Sequence, residues 1–189
     1  MDISEPVKEK GFAEGQHVVL RPVLEDDLAA LAGLMAENPL DPLPWTQQRL
    51  KKKFEDKDEP GLWGKSSRHF TIVRTTGEVV GYLKESDDSN RGMHWNELHI
   101  KTGLDDREAL GVDTLTAYLA YKQKWHNPLR ISFDVLRPET EKAAWLEQTG
   151  FELELVQERV LFYRGQPEAR CLYTWFSEEL LNAPAWPEE

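Results

Sequence analysis

The sequence predicts one α/β domain built on a mixed sheet of about seven strands, with about four helices packed against it. Short runs of alternating apolar and polar residues predict strands, and runs with apolar residues at helical spacing predict helices. These patterns follow one another in the order β, α, α, β, β, β, α, β, α, β, β. The helix between the fourth and fifth strands favours parallel pairing of those two strands. With 189 residues, 40% of them hydrophobic, the chain can bury one sizeable core.

The first half of the chain opens with residues 1–15, a polar segment that we interpret as an N-terminal tail. A strand, HVVLRPV, follows, and Glu25–Asp27 then supplies the acidic first turn of a helix. A second helix is predicted over 46–54, with a threonine as its N-cap. The runs HFTIVRT and EVVGYLKES are separated by Thr76-Gly77, which predicts a hairpin.

The segment 93–121 organises the predicted fold, because it combines a strand, a short turn and the start of an amphipathic helix. Residues 94–101 alternate as in a strand, and Leu115, Tyr118 and Leu119 recur at helical spacing. The first N–H groups of a helix have no intrahelical partner, and the helix dipole adds partial positive charge. Such a helix start can hold a pyrophosphate, although an ordinary strand-to-helix connection has the same pattern.

The second half of the chain continues with a strongly apolar strand, LRISFDVL, and a short helix over 139–148 that Gly150 closes. The runs ELELVQERVLFYRG and ARCLYTWF then form a last hairpin. The domain is therefore expected to span residues 16–181, with a C-terminal tail at 182–189. The exposed edges of the final hairpin could pair with a second copy, which would give a homodimer.

Charge and cysteine content narrow the functional classes. A net charge of -11, from 34 acidic and 23 basic residues, disfavours binding to nucleic acid because phosphates would be repelled. The acidity favours a cationic partner, or it only keeps the protein soluble. The one cysteine, Cys171, excludes an internal disulfide framework and a multi-cysteine zinc site, and its apolar strand predicts a buried structural thiol. The chain has neither an apolar signal segment nor a run of ~18 apolar residues, so we expect a cytoplasmic protein without a membrane span.

Four local signatures, taken in order, resemble the GNAT superfamily of N-acetyltransferases over about residues 16–178. They are LRPVLEDDLAAL near the start, ELHIKTGLDD before the central helix, RISFDV after it, and EKAAWLEQTGF before the last strands. The opening LRP with its following Asp, and the closing GF, look most like the branch that acetylates ribosomal-protein N-termini and related amines.

The resemblance implies the GNAT fold and an N-acetyltransferase that takes acetyl-CoA as its acyl donor and uses no metal. The acceptor would be a primary amine, on a small molecule or at a protein N-terminus. The fourth and fifth strands would separate beyond Ile100 and leave backbone groups free for the pantetheine arm of the cofactor. Trp45 and Trp63, on the variable loops, could line an aromatic pocket for the amine.

The cofactor loop departs from the family pattern, which is a Gln or Arg, two residues, a Gly, one residue, and a Gly or Ala. The corresponding run here is DREALG, so Asp106 stands at the basic or amide position, Ala109 replaces the first Gly, and Gly111 keeps the second. The resemblance implies cofactor contacts from Ile100, Thr102, Arg107, Ala109, Leu110, Gly111, Val112 and Asp113. The acidic residues of this loop would repel a pyrophosphate unless Arg107 or a lysine compensates. A GNAT-fold binding protein without acetyltransferase activity is therefore the alternative function.

Glu97 is the catalytic base that the resemblance implies, because a carboxylate on this strand often takes the proton of the attacking amine, directly or through water. We expect it to be partly buried, although a strand glutamate that faces solvent or pairs with a cation fits the same pattern. His94 and His99 bracket Glu97 and could relay a proton, or they could simply pack. Leu146 stands where many relatives have a tyrosine that protonates the leaving thiolate, so the sequence assigns no general acid.

Overall fold

A computed structural model describes residues 13–36, 46–55, 67–88, 93–163 and 165–182. The strands are β1 (Ala13–Glu14), β2 (Val18–Pro22), β3 (Ser67–Arg74), β4 (Val79–Asp88), β5 (Met93–Ile100), β6 (Arg130–Leu136), β7 (Glu152–Tyr163) and β8 (Gln166–Phe176). The helices are α1 (Leu28–Ala36), α2 (Gln47–Glu55), α3 (Arg107–His126), α4 (Thr140–Gln148) and α5 (Glu178–Leu181). The strands form one sheet in the order β1-β2-β3-β4-β5-β6-β8-β7.

The predicted α/β fold with a mixed sheet is confirmed, and the sheet has eight strands where about seven were expected. The additional strand is β1, which pairs with β2 although it lies in the segment interpreted as a tail. Residues 1–12 and 183–189, the rest of the two predicted tails, lie outside the described residues. None of the described helices has both the length and the apolar character that crossing a membrane would require.

Local chemistry sets several of the element ends as the sequence predicts. Thr46 caps α2, because its Oγ1 accepts a hydrogen bond from the backbone N–H of Arg49 at 3.1 Å. Gly77, in the turn between β3 and β4, has a φ of +98°, and Gly150, after α4, has a φ of +84°. Residues with a Cβ rarely adopt these backbone angles, so both turns favour glycine.

Every pair of neighbouring strands is antiparallel except β5 and β6, which are parallel and joined through α3. These two strands are in register only where Trp95 faces Ser132 and Asn96 faces Phe133. Beyond that point their described residues form no further ladder pairs, and we call the region between residues 97–100 of β5 and residues 134–136 of β6 the wedge. The sequence led us to expect separation beyond Ile100, but the ladder already ends at Asn96.

Helices cover both faces of the sheet. A large apolar cluster packs α3 and α4 against one face, and it includes Leu98, Leu115, Tyr118, Phe133 and Trp145. A second cluster packs α1 and α2 against the other face over Tyr82 of β4. Because side chains alternate along a strand, Asn96, Leu98 and Ile100 point toward α3, whereas Glu97 and His99 point toward the face that carries α1 and α2.

A buried polar network fixes α3 to the narrow end of the wedge. Lys122 Nζ donates to Glu85 Oε1 at 2.7 Å, and these two residues are each 1% exposed. The hydroxyl of Tyr118 lies 3.0 Å from Glu85 Oε2 and 3.2 Å from Asn96 Oδ1. Burial alone would raise the pKa of Glu85, but the ammonium of Lys122 lowers it below its ordinary value. Asn96 Nδ2 in turn donates to the backbone oxygen of Ser132 at 3.1 Å, which ties β5 to β6.

We predict that Lys122→Met lowers the free energy of unfolding by about 3 kcal/mol, because it removes the buried cation of Glu85 and leaves the carboxylate to Arg68, whose Nη1 lies 3.8 Å from Glu85 Oε1. The double variant Glu85→Gln, Lys122→Met should recover most of this loss, since no buried charge then remains unpaired. Lys124→Met, an exposed position on the same helix, is the control. Urea titrations that give the same stability for Lys122→Met and Lys124→Met would contradict this role of the pair.

Candidate functional site

The wedge exposes the backbone edges of two strands within one sheet. Lys101 donates its N–H to the oxygen of Val80 in β4, so the peptide groups of the preceding residue, Ile100, point the other way, toward β6. By the same alternation the peptide groups of Leu98 point into the wedge, as do those of Leu136 on the other side. A ligand with amide groups could pair with these edges as an additional strand would.

Arg107, the first residue of α3, closes the β5 side of the mouth. Its Nε donates to the backbone oxygen of Ile100 at 3.3 Å, and its Nη1 is ion-paired with Glu141 of α4. The guanidinium also lies over the ring of Trp145, 5.1 Å from the ring centroid. Arg107 is therefore directed at the wedge but held by groups of the protein itself.

Glu139, the residue before α4, closes the β6 side of the mouth. Its Oε2 accepts the N–H of Leu136 at 2.9 Å, and its Oε1 accepts from Lys142 Nζ at 2.6 Å. The backbone N–H of Glu139 also donates to the oxygen of Leu136, at 2.8 Å. The side chain of Lys142 is 9% exposed and that of Glu139 is 31% exposed, so the cation of this ion pair is buried and the carboxylate is partly open to water.

The start of α3 carries two backbone N–H groups for which no described residue is an acceptor. Asp106 is the N-cap residue, but its side chain makes no capping hydrogen bond. Leu110 donates its N–H to the oxygen of Asp106 at 3.0 Å, whereas the N–H groups of Glu108 and Ala109 meet no acceptor in the part of the chain that the structure describes. Ala109 is exposed. Two backbone donors at a helix start are a usual arrangement for holding a phosphate.

An ion pair from β3 partly neutralises the acidic cap. Arg74 holds the carboxylate of Asp106 with both terminal nitrogens, and Nη2 lies 2.7 Å from Oδ1. The hydrogen bond from Arg74 lowers the pKa of Asp106 below its usual range. Arg74 Nε also donates to Glu78 at 3.2 Å. An anionic ligand at the start of α3 would thus meet an arginine that already binds two carboxylates.

Gly111 serves the packing of α3 against α4. A Cβ at this position would lie 2.5 Å from the indole ring of Trp145, which is too short for a non-bonded contact. Only glycine therefore fits here while the ring keeps its place. The resemblance implies a cofactor contact at Gly111, and the structure places this residue in the second turn of the helix, on the side that faces α4. Leu110 is fully buried in the main core and Val112 packs against that core.

Asp113 holds the N-terminal strands against α3. Its carboxylate accepts the backbone N–H groups of Gln16, His17 and Val18 at 2.9, 2.7 and 3.1 Å. A Cβ at Gly15 would lie 2.4 Å from Asp113 Oδ2, so the turn approaches the carboxylate closely. This side chain therefore has a structural role, and its backbone N–H is enclosed in the helix.

Glu97 lies at the start of the wedge on the face that carries α1 and α2. Its side chain is 47% exposed, where the sequence led us to expect a partly buried carboxylate, and Lys84 Nζ lies 3.2 Å from its Oε1. Asp134 follows on β6 and is held by Arg170 of β8, with Nε 2.7 Å from Oδ1. The pKa of Arg170 is raised, mainly by this hydrogen bond and further by the charge of Glu97. Four charged side chains thus cross the sheet where β5 and β6 separate.

His99 is partly buried and lies two residues nearer the mouth of the wedge than Glu97. Burial and the ammonium of Lys142 lower its pKa to about 4, so the imidazole is neutral at physiological pH. Tyr82 of the neighbouring strand β4 lies opposite His99 and is hydrogen-bonded to His69. Burial raises the pKa of Tyr82 well above its ordinary value, so its hydroxyl also stays neutral.

The other residues singled out in the sequence are less informative. Thr102 is exposed in the loop between β5 and α3. Leu146 is fully buried in the main core, and Cys171 is a buried, free thiol there. Trp45, Trp63 and the side chain of His94 lie outside the described residues. Sequence reasoning missed Lys84, Glu139, Lys142, Asp134 and Arg170. The cross-strand pairs among them become visible only when β4, β5, β6 and β8 are placed in register.

We predict that His99 makes the protein less stable in mild acid. Its pKa is about 4 when folded and near 6.5 when unfolded, so the unfolded chain binds the extra proton first as the pH falls. The free energy of unfolding should drop by roughly 2 to 3 kcal/mol between pH 6.5 and 4 from this group alone. Urea titrations of His99→Gln, which cannot titrate, should show a shallower decline over this range. Parallel curves for the variant and the parent protein would contradict the assignment.

Comparison with known proteins finds similarity in structure but none in sequence. The sequence matches no protein-family model and no curated protein. The structure is similar to spermidine N-acetyltransferase from Vibrio cholerae in complex with CoA and spermine, with a TM-score of 0.72, 14% identity, and coverage of 88% of this chain and 99% of that one. It is also similar to a GNAT-family acetyltransferase from Bacillus anthracis, with a TM-score of 0.70, 12% identity, and coverage of 87% of this chain and 98% of that one.

A third similar structure is a protein from Vibrio cholerae proposed to be a ribosomal-protein-serine acetyltransferase. Its TM-score is 0.67 at 15% identity, and the match covers 89% of this chain and 98% of that one. At such low identity the likeness concerns the fold, and it extends over nearly the whole of each compared chain. The chain has the fold of the GNAT acetyltransferases.

Proposed function

We propose that the protein is an acyl-CoA-dependent N-acyltransferase that moves an acetyl group from acetyl-CoA to a primary amine, on a small molecule or at a protein N-terminus. One observation carries the proposal: two parallel strands separate into a wedge whose mouth meets the start of α3. The pantetheine arm of the cofactor carries two amides that can pair with the edges of β5 and β6. Its pyrophosphate can then reach the N–H groups of Glu108 and Ala109.

The roles that follow for the cofactor are mostly those of backbone groups. Ile100 and Leu136 supply the edges of the wedge, and Thr102 lies in the loop beside the helix start. Arg107 exchanges Glu141 for a phosphate oxygen, since both are anions within its reach. Leu110, Gly111, Val112 and Asp113 support the site from within α3, because they pack it against the core, α4 and the N-terminal strands.

The chemical step is direct transfer. The amine nitrogen attacks the thioester carbonyl, the C–S bond breaks, the CoA thiolate leaves, and the nitrogen loses one proton. Glu97 is the proposed base for that proton, acting directly or through water, since it lies beside the opening of the wedge on the face opposite α3. Lys84 Nζ lies 3.2 Å from Glu97 Oε1 and holds the carboxylate beside the opening. Leu146 is apolar and cannot protonate the thiolate.

The acceptor and the setting are also part of the proposal. The similar spermidine acetyltransferase was crystallised with CoA and spermine, which supports a cationic amine as the acceptor class. The net charge of -11 agrees with a cationic acceptor and opposes nucleic acid. The single cysteine supports a cytoplasmic location. The outer strand β7 exposes Leu153, Leu155 and Phe162, which supports a homodimer through this edge.

A second candidate function is a binding protein of the same fold without acetyltransferase activity. The specific observation in its favour is that the arginines near the helix start are already bound by carboxylates: Arg74 by Asp106 and Glu78, and Arg107 by Glu141. The loop has no glycine at the Ala109 position, and Gly111 serves packing. An acetyltransferase must bind acetyl-CoA, whereas a protein that has lost the cofactor site does not. Binding of acetyl-CoA therefore distinguishes the two functions.

We predict that acetyl-CoA binds with micromolar affinity in calorimetry and that Asp106→Asn tightens binding about five- to tenfold at low salt. The substitution removes a negative charge beside the pyrophosphate and releases Arg74. The gain should shrink as salt screens the exposed charges. Glu152→Gln, an exposed carboxylate on the far strand, controls for net charge. A complete absence of heat with the parent protein would favour the binding protein without a cofactor, and equal affinities of parent and Asp106→Asn would refute the charge argument.

We predict that Glu97→Gln lowers kcat roughly 10²-fold near pH 7 with an established amine acceptor, while the affinity for acetyl-CoA is unchanged. Glutamine keeps the shape of the side chain but cannot take a proton. The loss should become smaller as the pH rises, because a deprotonated amine needs less help from a base. Initial rates from pH 6 to 10 test this, with Glu152→Gln as the matched control. A parent-like rate in Glu97→Gln at pH 7 would remove this residue from the mechanism.

A further inference from the structure

The carboxylate of Glu139 occupies a position at the mouth of the wedge that a ligand's amide oxygen would need. Its Oε2 lies 2.9 Å from the N–H of Leu136, the last residue of β6. That N–H points toward β5, because the next residue, Arg137, donates its N–H the other way, to the oxygen of Ala169 in the segment of β8. The hydrogen bond therefore crosses into the wedge and uses one of its edge donors.

The same carboxylate is fixed on its second oxygen. Lys142 Nζ lies 2.6 Å from Oε1, and the Lys142 side chain is 9% exposed, so little water competes for the ammonium, whereas the Glu139 side chain is 31% exposed. The backbone N–H of Glu139 also binds the oxygen of Leu136 at 2.8 Å, which holds the residue close to the strand. A ligand that takes the Leu136 N–H must therefore break a charged hydrogen bond supported by a buried cation.

We infer that Glu139 competes with the cofactor for the edge of β6 and so sets the affinity of the wedge for a pantetheine arm. This inference rests on the proposed function, because it takes the wedge to be the pantetheine site. When the ligand enters, the Glu139 carboxylate leaves Leu136 and the ligand's amide carbonyl accepts that N–H instead. Exchange of a charge-assisted hydrogen bond for a neutral one makes binding weaker than the open edge would allow.

The competition is local hydrogen bonding rather than general repulsion, and two substitutions separate these causes. Glu139→Ala removes both the charge and the acceptor. Glu139→Gln removes the charge but keeps a carbonyl that can still accept the N–H of Leu136. Pantetheine itself, which is uncharged and lacks the pyrophosphate, reports on the wedge alone, whereas CoA also reports on the start of α3.

The test is calorimetry of the full chain with pantetheine and with CoA. Glu139→Ala should bind both probes about tenfold more tightly than the parent, and Glu139→Gln should gain less. Glu152→Ala, which alters the net charge equally on the far strand, should match the parent. Equal gains for Glu139→Ala and Glu139→Gln with CoA, and none with pantetheine, would show charge repulsion and overturn the inference.

The remaining outcomes keep the inference separate from the proposed function. If the parent binds CoA and Glu139→Ala binds no better, the inference is wrong and the proposed function stands. If neither probe binds any of these proteins, both are wrong. Should Glu139→Ala fail to fold, the backbone amide signal of Leu136 in the parent protein decides by NMR. It should shift on addition of CoA as its acceptor changes, and an unchanged signal in a protein that binds CoA would refute the exchange.

Discussion

The short parallel pairing of β5 and β6 is the constraint on which the rest of the site depends. Two strands that pair at two positions and then separate leave peptide groups that need other partners, because unpaired backbone groups are costly. Asn96 holds the narrow end by its bond to the oxygen of Ser132. The buried pair of Glu85 and Lys122 holds α3 over that point. The position of the opening is therefore set by side chains on the α3 face, while Glu97 lies on the opposite face.

The order of elements and the parallel strand pair could be predicted from the sequence, because alternation, helical spacing and turn residues are local signals. The residue at which the β5–β6 ladder ends could not be predicted from the sequence, since it depends on contacts of Asn96 with residues far away in the sequence. Gly111 shows a second limit. A motif marks that a small residue is present, but the helical face decides what needs the space, and here it is the indole ring of Trp145.

The charge around the start of α3 could also be predicted only in part from the sequence. Asp105, Asp106 and Glu108 are neighbours in sequence, so their negative charge was evident, whereas the compensating Arg74 comes from β3. The base candidate Glu97 was found only through resemblance, and its pairing with Lys84 required the register between β4 and β5. Sequence reasoning therefore missed that Arg74 of β3 and Lys84 of β4 lie beside carboxylates of the site.

The carboxylate of Asp113 has a consequence for the order in which the chain can fold. It binds the N–H groups of three consecutive residues in the turn before β2, and its partner Gln16 is 97 residues away in sequence. Such distant contacts form late, because closing a long loop costs conformational entropy that is offset only after the contact has formed. During synthesis, the turn at residues 15–18 must wait until Asp113, 97 residues beyond Gln16, has emerged before α3 can fasten it. The strands β1 and β2 are therefore synthesised well before the helix residue that fastens the turn between them.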